Sequence, residues 1–212
     1  MTVRSDTFDP VWGTLGAPSS TGNGGWPARN DEEEGALVAV QLLGDGLHLL
    51  GEIHTGKFDR LSGWLNMQAG FIQVRNAVHI RPGDAPDEGH PKGTLWVRLN
   101  QIVLVIDRSA IQQIRPGAPI VQKERREVSM LTRAFELRGG IHLPADGSMA
   151  HFLEATDPRF LPITDVTVRW MSSPAHVARF PFALVNREQL VTVVEETEQA
   201  THDLVREEVR SA

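Results

Sequence analysis

The sequence contains no cysteine among its 212 residues. This absence excludes disulfide bonds, thiolate zinc sites, iron–sulfur clusters and cysteine nucleophiles. The chain also has no apolar run long enough to span a bilayer, and residues 1–10 lack the apolar core of a signal peptide. We therefore expect a cytoplasmic protein without a membrane segment.

Clusters of basic residues and motifs typical of enzymes are missing as well. The chain has 21 Lys and Arg residues against 27 Asp and Glu residues, which gives a formal net charge of -6. Binding to nucleic-acid phosphates needs clustered Lys and Arg, so this balance argues against nucleic acid as a partner. No P-loop, dinucleotide fingerprint, H-E-x-x-H or G-x-S-x-G motif occurs. We therefore predict a protein that is not an enzyme and holds no cofactor.

One pattern of residues occurs twice, with an offset of about 88 positions. The first copy begins with Gly51-Glu-Ile53-His54 and the second with Gly139-Gly-Ile141-His142. A short helical stripe of apolar residues follows in each copy, and then Phe71-Ile-Gln-Val74 or Phe160-Leu-Pro-Ile163. A recurrence this regular predicts that the chain contains a duplicated structural unit.

Each copy has the alternating pattern and the turn residues of five short strands, with one short helix between the second and third. The strands of the first copy are predicted at residues 37–43, 47–55, 71–80, 94–98 and 101–107. Those of the second copy are predicted at residues 128–131, 135–143, 160–168, 180–185 and 188–195, with a loop at 171–179. Gly51 inside a strand indicates a sharp bend or a close backbone contact. We expect Asp59 to cap the first helix, and Ser148 or Asp146 the second.

The composition changes along the chain in a way that predicts five segments. Residues 1–35 are rich in Gly, Pro, Ser and acidic residues, and cannot bury enough surface to offset their ordering entropy. The predicted organisation is a disordered N-terminal arm (1–35), a first small β-barrel (36–108), a linker (109–124), a second small β-barrel (125–195) and a C-terminal polar helix or tail (196–212).

The first copy resembles a known family. Its patterns Gly51-x-Ile53-His54, Arg60-Leu-Ser-x-x-Leu65-Asn66 and Phe71-Ile-x-Val74-x-x-Ala77 are similar to an uncharacterised bacterial family of Sm-like (SH3-like) small β-barrels. The second copy diverges, with Glu154 in the place of Asn66. The resemblance covers roughly residues 35–107 and 125–195 and implies a mainly β fold of two tandem five-stranded barrels, but no activity. Since one such unit is marginally stable alone, we expect the two to pack face to face with pseudo-twofold symmetry.

Two histidines, His54 and His142, occupy the same position in the two copies. Paired imidazoles can bind a metal ion or titrate near neutral pH. No carboxylate is repeated beside them, because Glu52 aligns with Gly140. The alternative is a structural role, in which each histidine braces the loop that follows it.

The resemblance also points to residues of the short helix. Asp59, Arg60 and Asn66 lie where Sm proteins have a base-binding loop, which implies RNA as a possible partner. Helix capping and hydrogen bonding within the loop are the alternative roles of the same side chains.

Aromatic residues supply the other partner-binding candidates. Trp64 and Phe71 are candidates for an exposed partner surface, and Trp12 and Trp26 for a second anchor on the N-terminal arm. Incidental docking of the arm on the adjacent domain is the alternative. We predict a non-enzymatic protein-interaction or scaffold module that binds another protein and can form oligomers. The alternatives are an Sm-like RNA-binding protein and a His-dependent metal or small-ligand binding protein.

Overall fold

The structure is a computed structural model, and it describes residues 36–81, 90–109, 123–155 and 158–196. These residues form a mainly β protein with two short helices, α1 (Leu61–Met67) and α2 (Met149–Glu154). Its ten strands are β1 (Leu37–Gly44), β2 (Leu47–His54), β3 (Phe71–His79), β4 (His90–Arg98), β5 (Leu104–Asp107), β6 (Lys123–Leu131), β7 (Phe135–Pro144), β8 (Phe160–Trp170), β9 (Ser173–Asn186) and β10 (Thr192–Glu195). No helix in these four ranges is long and apolar enough to cross a membrane.

All ten strands pair antiparallel in one sheet, in the order β10-β6-β7-β8-β9-β5-β1-β2-β3-β4. The sheet has two ends, β10 and β4, so the closed barrels expected from the sequence are not what the strand pairing gives. The expectation failed because apolar alternation shows which faces of a strand are buried, but not which strand lies beside it. The coarser prediction of a mainly β fold is confirmed.

The two halves of the sheet, β1–β5 and β6–β10, have the same internal order. In each half the fifth strand lies beside the first, and the second, third and fourth follow. The halves meet where β9, the fourth strand of the second half, pairs with β5, the fifth strand of the first half. A twofold axis would pair like strands with like, so the face-to-face pair with pseudo-twofold symmetry is not observed.

The second strand of each half contains a glycine at which the pairing with the third strand shifts register. A Cβ atom at Gly51 would lie 2.9 Å from the carbonyl oxygen of Arg75, and one at Gly139 would lie 2.7 Å from that of Thr164. A Cβ atom cannot approach a backbone oxygen so closely, so glycine lets the two strands come together here. The close backbone contact predicted at Gly51 is confirmed.

The two helices begin in different ways. Ser148 accepts a hydrogen bond from the backbone N–H of His151 at 3.1 Å, which confirms it as the cap of α2. The prediction that Asp59 caps α1 is wrong, because the N-cap residue is Arg60, which makes no side-chain capping bond. The helix starts one residue later than the sequence pattern suggested.

Several strand boundaries differ from the prediction, and both β4 and β6 begin earlier than predicted, at His90 and Lys123. Residues 171–179 were expected to be a loop, but β9 starts at Ser173, and Ser173 and residues 177–179 pair with β8 across a register shift. Backbone hydrogen bonds within the hairpin stabilise this exposed segment, and such bonds do not require an apolar pattern in the sequence. Residues Leu99–Gln101 and Arg187–Gln189 form 3-10 turns before β5 and β10, so both of these strands are shorter than predicted. The predicted arm, linker and tail lie largely or wholly outside the described residues.

Candidate functional site

The two halves of the sheet join where β5 pairs with β9, and we call this contact the junction. Strands β5 and β9 pair in the register Leu104 with Val185 and Val105 with Leu184. The backbone N–H of Asn186 also donates to the carbonyl oxygen of Val103 at 2.8 Å. Each half therefore completes the backbone hydrogen bonding of an edge strand of the other, which would otherwise present unpaired polar groups.

Two asparagine side chains fix this junction. Asn186 is fully buried, and its amide donates to the carbonyl oxygens of Leu99 at 3.2 Å and Ile102 at 2.9 Å. Asn66, in α1, accepts a hydrogen bond from the backbone N–H of Phe160 at 2.7 Å. The structure thus places Asn66, a partner-binding candidate, in contact with the other half of its own chain.

Apolar side chains cross the junction in both directions. Phe160 and Leu184 of the second half belong to the core of the first half. In return, four residues of the first half belong to the core of the second half, namely Leu43, Val103, Leu104 and Ile106. Neither core is complete without residues of the other half.

The β4 end of the sheet carries the larger open cavity, a groove of about 780 Å³ that we call the β4 groove. Its apolar lining is Leu47, Leu49, Phe71, Leu95, Trp96 and Val97, and its polar rim is Asp45, His79, Arg81, Lys92, Arg98 and Gln101. Among the described residues no strand pairs with the outer edge of β4. An apolar groove beside an unpaired strand edge is the kind of surface that binds a protein segment.

The exposed aromatic residues of the β4 groove have buried counterparts at the junction. Phe71 pairs with Arg98 as Phe160 pairs with Asn186, and Trp96 takes the register position of Leu184. Phe160 and Leu184 are 0% and 1% exposed, whereas Phe71 and Trp96 are 55% and 66% exposed. The difference arises because β5 covers the junction side and no described residue covers β4.

The β10 end carries a smaller cavity of about 240 Å³, which we call the β10 cleft. Its lining residues come from α2, the second 3-10 turn and the start of β10, namely Leu153, Arg187, Leu190, Val191, Thr192 and Val193. Within ranges 36–81, 90–109, 123–155 and 158–196, β10 pairs only with β6. The described strands leave the backbone groups of its other edge unpaired beside this cleft.

The valines of the β10 end also have buried counterparts at the junction. Val191 corresponds to Val103 and Val194 to Ile106, because β10 pairs with β6 in the register in which β5 pairs with β1. Val103 and Ile106 are 3% and 2% exposed, whereas Val191 and Val194 are 60% and 57% exposed. Both ends of the sheet therefore expose the apolar positions that the junction buries.

The metal candidates do not come together. His54 is half-buried in β2, and His142 is exposed in β7, with its Nε2 atom 3.1 Å from the hydroxyl of Thr164. Four strands separate β2 from β7 in the sheet order. In the part of the chain that the structure describes, no group of three or more His, Asp or Glu side chains could hold a metal ion.

The other candidates lie in different surroundings. Trp64 is half-buried against the core of the first half, and Asp59 and Arg60 are exposed before α1. Trp12 and Trp26 lie outside the described residues. Of the aromatic candidates in the described residues, Phe71 is therefore the one that lines an open cavity.

Sequence reasoning missed Trp96, Arg98, Val191 and Val194. The signal that could have found the three apolar residues is a run of apolar residues on both faces of a strand, as in Leu95-Trp-Val97 and Leu190-Val-Thr-Val-Val194. Such runs are typical of strands that are covered on both sides, whereas strands with one solvent face alternate. Trp96, Val191 and Val194 are instead exposed here.

A polar cluster lies near the first hairpin. The Nε2 atoms of Gln41 and His48 are 2.8 Å apart, and Arg108 donates to the side-chain oxygen of Gln41 at 3.3 Å. Burial lowers the pKa of His48, and the nearby imidazoles of His176 and His79 lower it further. The amide of Gln41 can donate to His48 only while that nitrogen carries no proton.

We expect the stability of the protein to fall as the pH drops below 6.5, the ordinary pKa of the His48 side chain. The unfolded chain takes up this proton first, because the pKa in the folded state is lower. The stabilisation is therefore complete above that pH and declines as the pH falls towards the folded pKa. Urea unfolding between pH 5 and 8, roughly the range in which histidine titrates, measures this slope. His48→Gln should flatten it, and an unchanged slope in that variant would contradict the assignment.

Comparison with known proteins gives no assignment. No family model matches the sequence, and no curated protein or solved structure gives a significant match.

Proposed function

We propose that the chain is a non-enzymatic protein-interaction module that binds a protein segment at the β4 groove. The observation that carries this proposal is the exposure of Phe71 and Trp96 beside an apolar groove and beside an edge of β4 that no described strand pairs. A bound segment would add a strand to the sheet, with main-chain hydrogen bonds to β4 and apolar side chains in the groove. Burial of two large aromatic rings would supply much of the binding energy.

We further infer that each half of the sheet is one copy of a duplicated Sm-like unit, opened at its fourth strand. The shared strand order and the register shifts at Gly51 and Gly139 support this. So do the positive φ angles of Asn76 (48°) and Asp165 (51°), which lie at equivalent positions of β3 and β8. Non-glycine residues rarely adopt this conformation, so its occurrence at equivalent positions of both halves favours common descent.

RNA is the second candidate partner, because the rim of the groove is basic. Arg81, Lys92 and Arg98 lie beside Phe71 and Trp96, and basic side chains with exposed aromatic rings are typical of surfaces that bind single strands. The floor of the groove consists of leucine and valine side chains, which favour an apolar peptide over a nucleotide. We therefore place protein first.

A photoreactive residue in place of Trp96 tests the proposal. In native lysate this variant should form cross-links to protein, and the bound peptide should map to an apolar segment. The matched control carries the same residue in place of Met171, an exposed apolar side chain in the β8–β9 hairpin, and should give none of these products. Products that disappear with ribonuclease and high salt would favour RNA instead. Identical products from both positions would contradict a specific surface.

A further inference from the structure

We propose that the segment bound at the β4 groove is acidic as well as apolar, with carboxylates near the ends of an extended apolar stretch that pair with Lys92 and Arg98. This inference rests on the proposed function, because it names the class of segment that the same groove binds. The occupant is a segment of a different protein, and neither RNA nor a second copy of this chain.

The rim of the β4 groove reverses the charge of the chain as a whole. The sequence has 27 acidic and 21 basic residues, whereas the described residues of the rim include Arg81, Lys92 and Arg98 against the carboxylate of Asp45. At physiological salt a charge acts over roughly 8 Å. An acidic group at the rim is therefore attracted by these cations, and the acidic residues elsewhere on the surface repel it only weakly.

Two cations of the rim are not neutralised within the described part of the chain. Neither Lys92 nor Arg98 forms an ion pair with a described carboxylate, and both side chains are exposed. The arginines of the second half differ, since Arg126 pairs with Glu195 at 3.1 Å and other pairs surround it. The charges of Lys92 and Arg98 are therefore available to a bound segment.

Arg98 stands where the junction makes side-chain hydrogen bonds to a neighbouring segment. At the corresponding position, Asn186 donates to the carbonyl oxygens of Leu99 and Ile102 of the other half. The guanidinium of Arg98 lies over the ring of Phe71, 5.9 Å from its centre. A guanidinium offers two parallel N–H donors that fit a carboxylate. We therefore expect a carboxylate of the bound segment opposite Arg98.

The two faces of β4 determine the order of residues in the segment. Leu95 and Val97 pack in the core of the first half, whereas Trp96 and Arg98 are exposed on the other face. A strand added at the edge that no described strand pairs would continue both faces, since successive side chains point to opposite sides. Apolar residues should therefore alternate with a residue that contacts Trp96 and an acidic residue that pairs with Arg98.

The position of Lys92 predicts a second acidic residue. Lys92 lies near the start of β4 and Arg98 ends the strand, and both line the groove. At roughly 3.3 Å per residue the two cations are up to about 20 Å apart. A segment that reaches both would have an acidic residue near each end of an apolar stretch of roughly five residues.

Selection from random peptides displayed on phage tests the proposal, with the wild-type chain as bait. Peptides are kept when they bind the wild type and fail to bind Trp96→Ala, which changes an exposed residue. We expect the retained peptides to contain alternating apolar residues with Asp or Glu beside them. Retained peptides that are neutral or basic would overturn the acidic class and leave the proposed function standing. If no peptide depended on Trp96, the proposed function itself would fail.

The tightest acidic peptide, with a fluorescent label, measures the contribution of each cation by anisotropy. Lys92→Glu and Arg98→Glu should each weaken its binding roughly three- to tenfold, because each removes an attraction and adds a repulsion. These losses should shrink at high salt. The matched control is Arg133→Glu, an exposed position in the β6–β7 turn, which changes the net charge equally and should leave the affinity unchanged. Equal losses at positions 98 and 133 would overturn the pairing.

Exchanging the charges gives an independent check. A peptide whose acidic residues are replaced by lysine should bind the wild type poorly and recover its binding on the variant with both Lys92→Glu and Arg98→Glu. Circular dichroism of that variant checks that the fold is kept. A lysine peptide that binds the double variant no better than the wild type would contradict the predicted ion pairs.

The same measurements distinguish the other occupants. A single-stranded oligouridine that binds the wild type more tightly than the acidic peptide would identify RNA and overturn the proposal. Association of the wild-type chain with itself that displaces the peptide and is lost in Trp96→Ala would identify a second copy, with the same consequence.

Discussion

Replacing Phe160 with alanine is expected to lower the free energy of unfolding by about 3–5 kcal/mol. Phe160 starts β8 in the second half, but its ring is fully buried in the core of the first half. Removing it leaves a cavity where the two halves meet, and the surrounding strands cannot collapse without breaking the β5–β9 pairing. Urea unfolding at pH 7.5, roughly a unit above the ordinary histidine pKa, would measure the loss.

Phe71→Ala is the matched control for Phe160→Ala. It removes the same atoms at the corresponding position of the first half, where the ring is mostly exposed. We expect a change of no more than about 1 kcal/mol when the protein is dilute enough to be a single chain. Equal losses of stability in the two variants would contradict the different burial of Phe160 and Phe71.

Gly139→Ala is expected to destabilise the protein by about 3 kcal/mol. The added Cβ atom would lie 2.7 Å from the carbonyl oxygen of Thr164 and 3.1 Å from the side chain of Ile163. The first of these atoms is backbone and belongs to the paired strand β8, so it cannot move without disturbing the sheet. The loss would appear as a lower urea midpoint with an unchanged slope.

Gly63→Ala provides the contrast. Gly63 is exposed inside α1, and a Cβ atom there would meet only a side-chain atom of Phe58, at 3.8 Å. Alanine favours the helix over glycine by up to about 1 kcal/mol, so this variant should be slightly more stable than the wild type. If both glycine variants lost the same stability, the close approach at Gly139 would not be the cause.

Alternation and turn residues predicted the strands that have one buried face. The first hairpin illustrates this: β1 and β2 end within one residue of their predicted bounds, because Gly44-Asp45-Gly46 closes them. The start of β9 was missed because exposed polar residues in a hairpin have no apolar pattern to read. The sequence predicted a break between residues 98 and 101, but not the 3-10 turn Leu99–Gln101 at that place, because so short a turn has no apolar pattern.

The order of the strands in the sheet could not be predicted from alternation and turn residues. Which edge lies beside β5 depends on contacts between residues more than 70 positions apart, such as Leu104 with Val185, and a local pattern holds no information on them. The candidate site depends on this arrangement, since Trp96 and Val194 differ from their buried counterparts only in what covers them. Asn66 was chosen from the sequence as a partner-binding residue, and its bond to Phe160 shows a contact inside the chain.

The exchange of side chains across the junction constrains how the two halves can diverge. A substitution at Phe160 or Leu104 changes the interior of the opposite half, so its effect on fitness depends on residues inherited with that half. The corresponding positions at the free ends experience a different environment and are released from that restriction. Under the proposed duplication, asparagine at 186 against arginine at 98 is the kind of asymmetry that two descendants of one ancestor would accumulate after fusion.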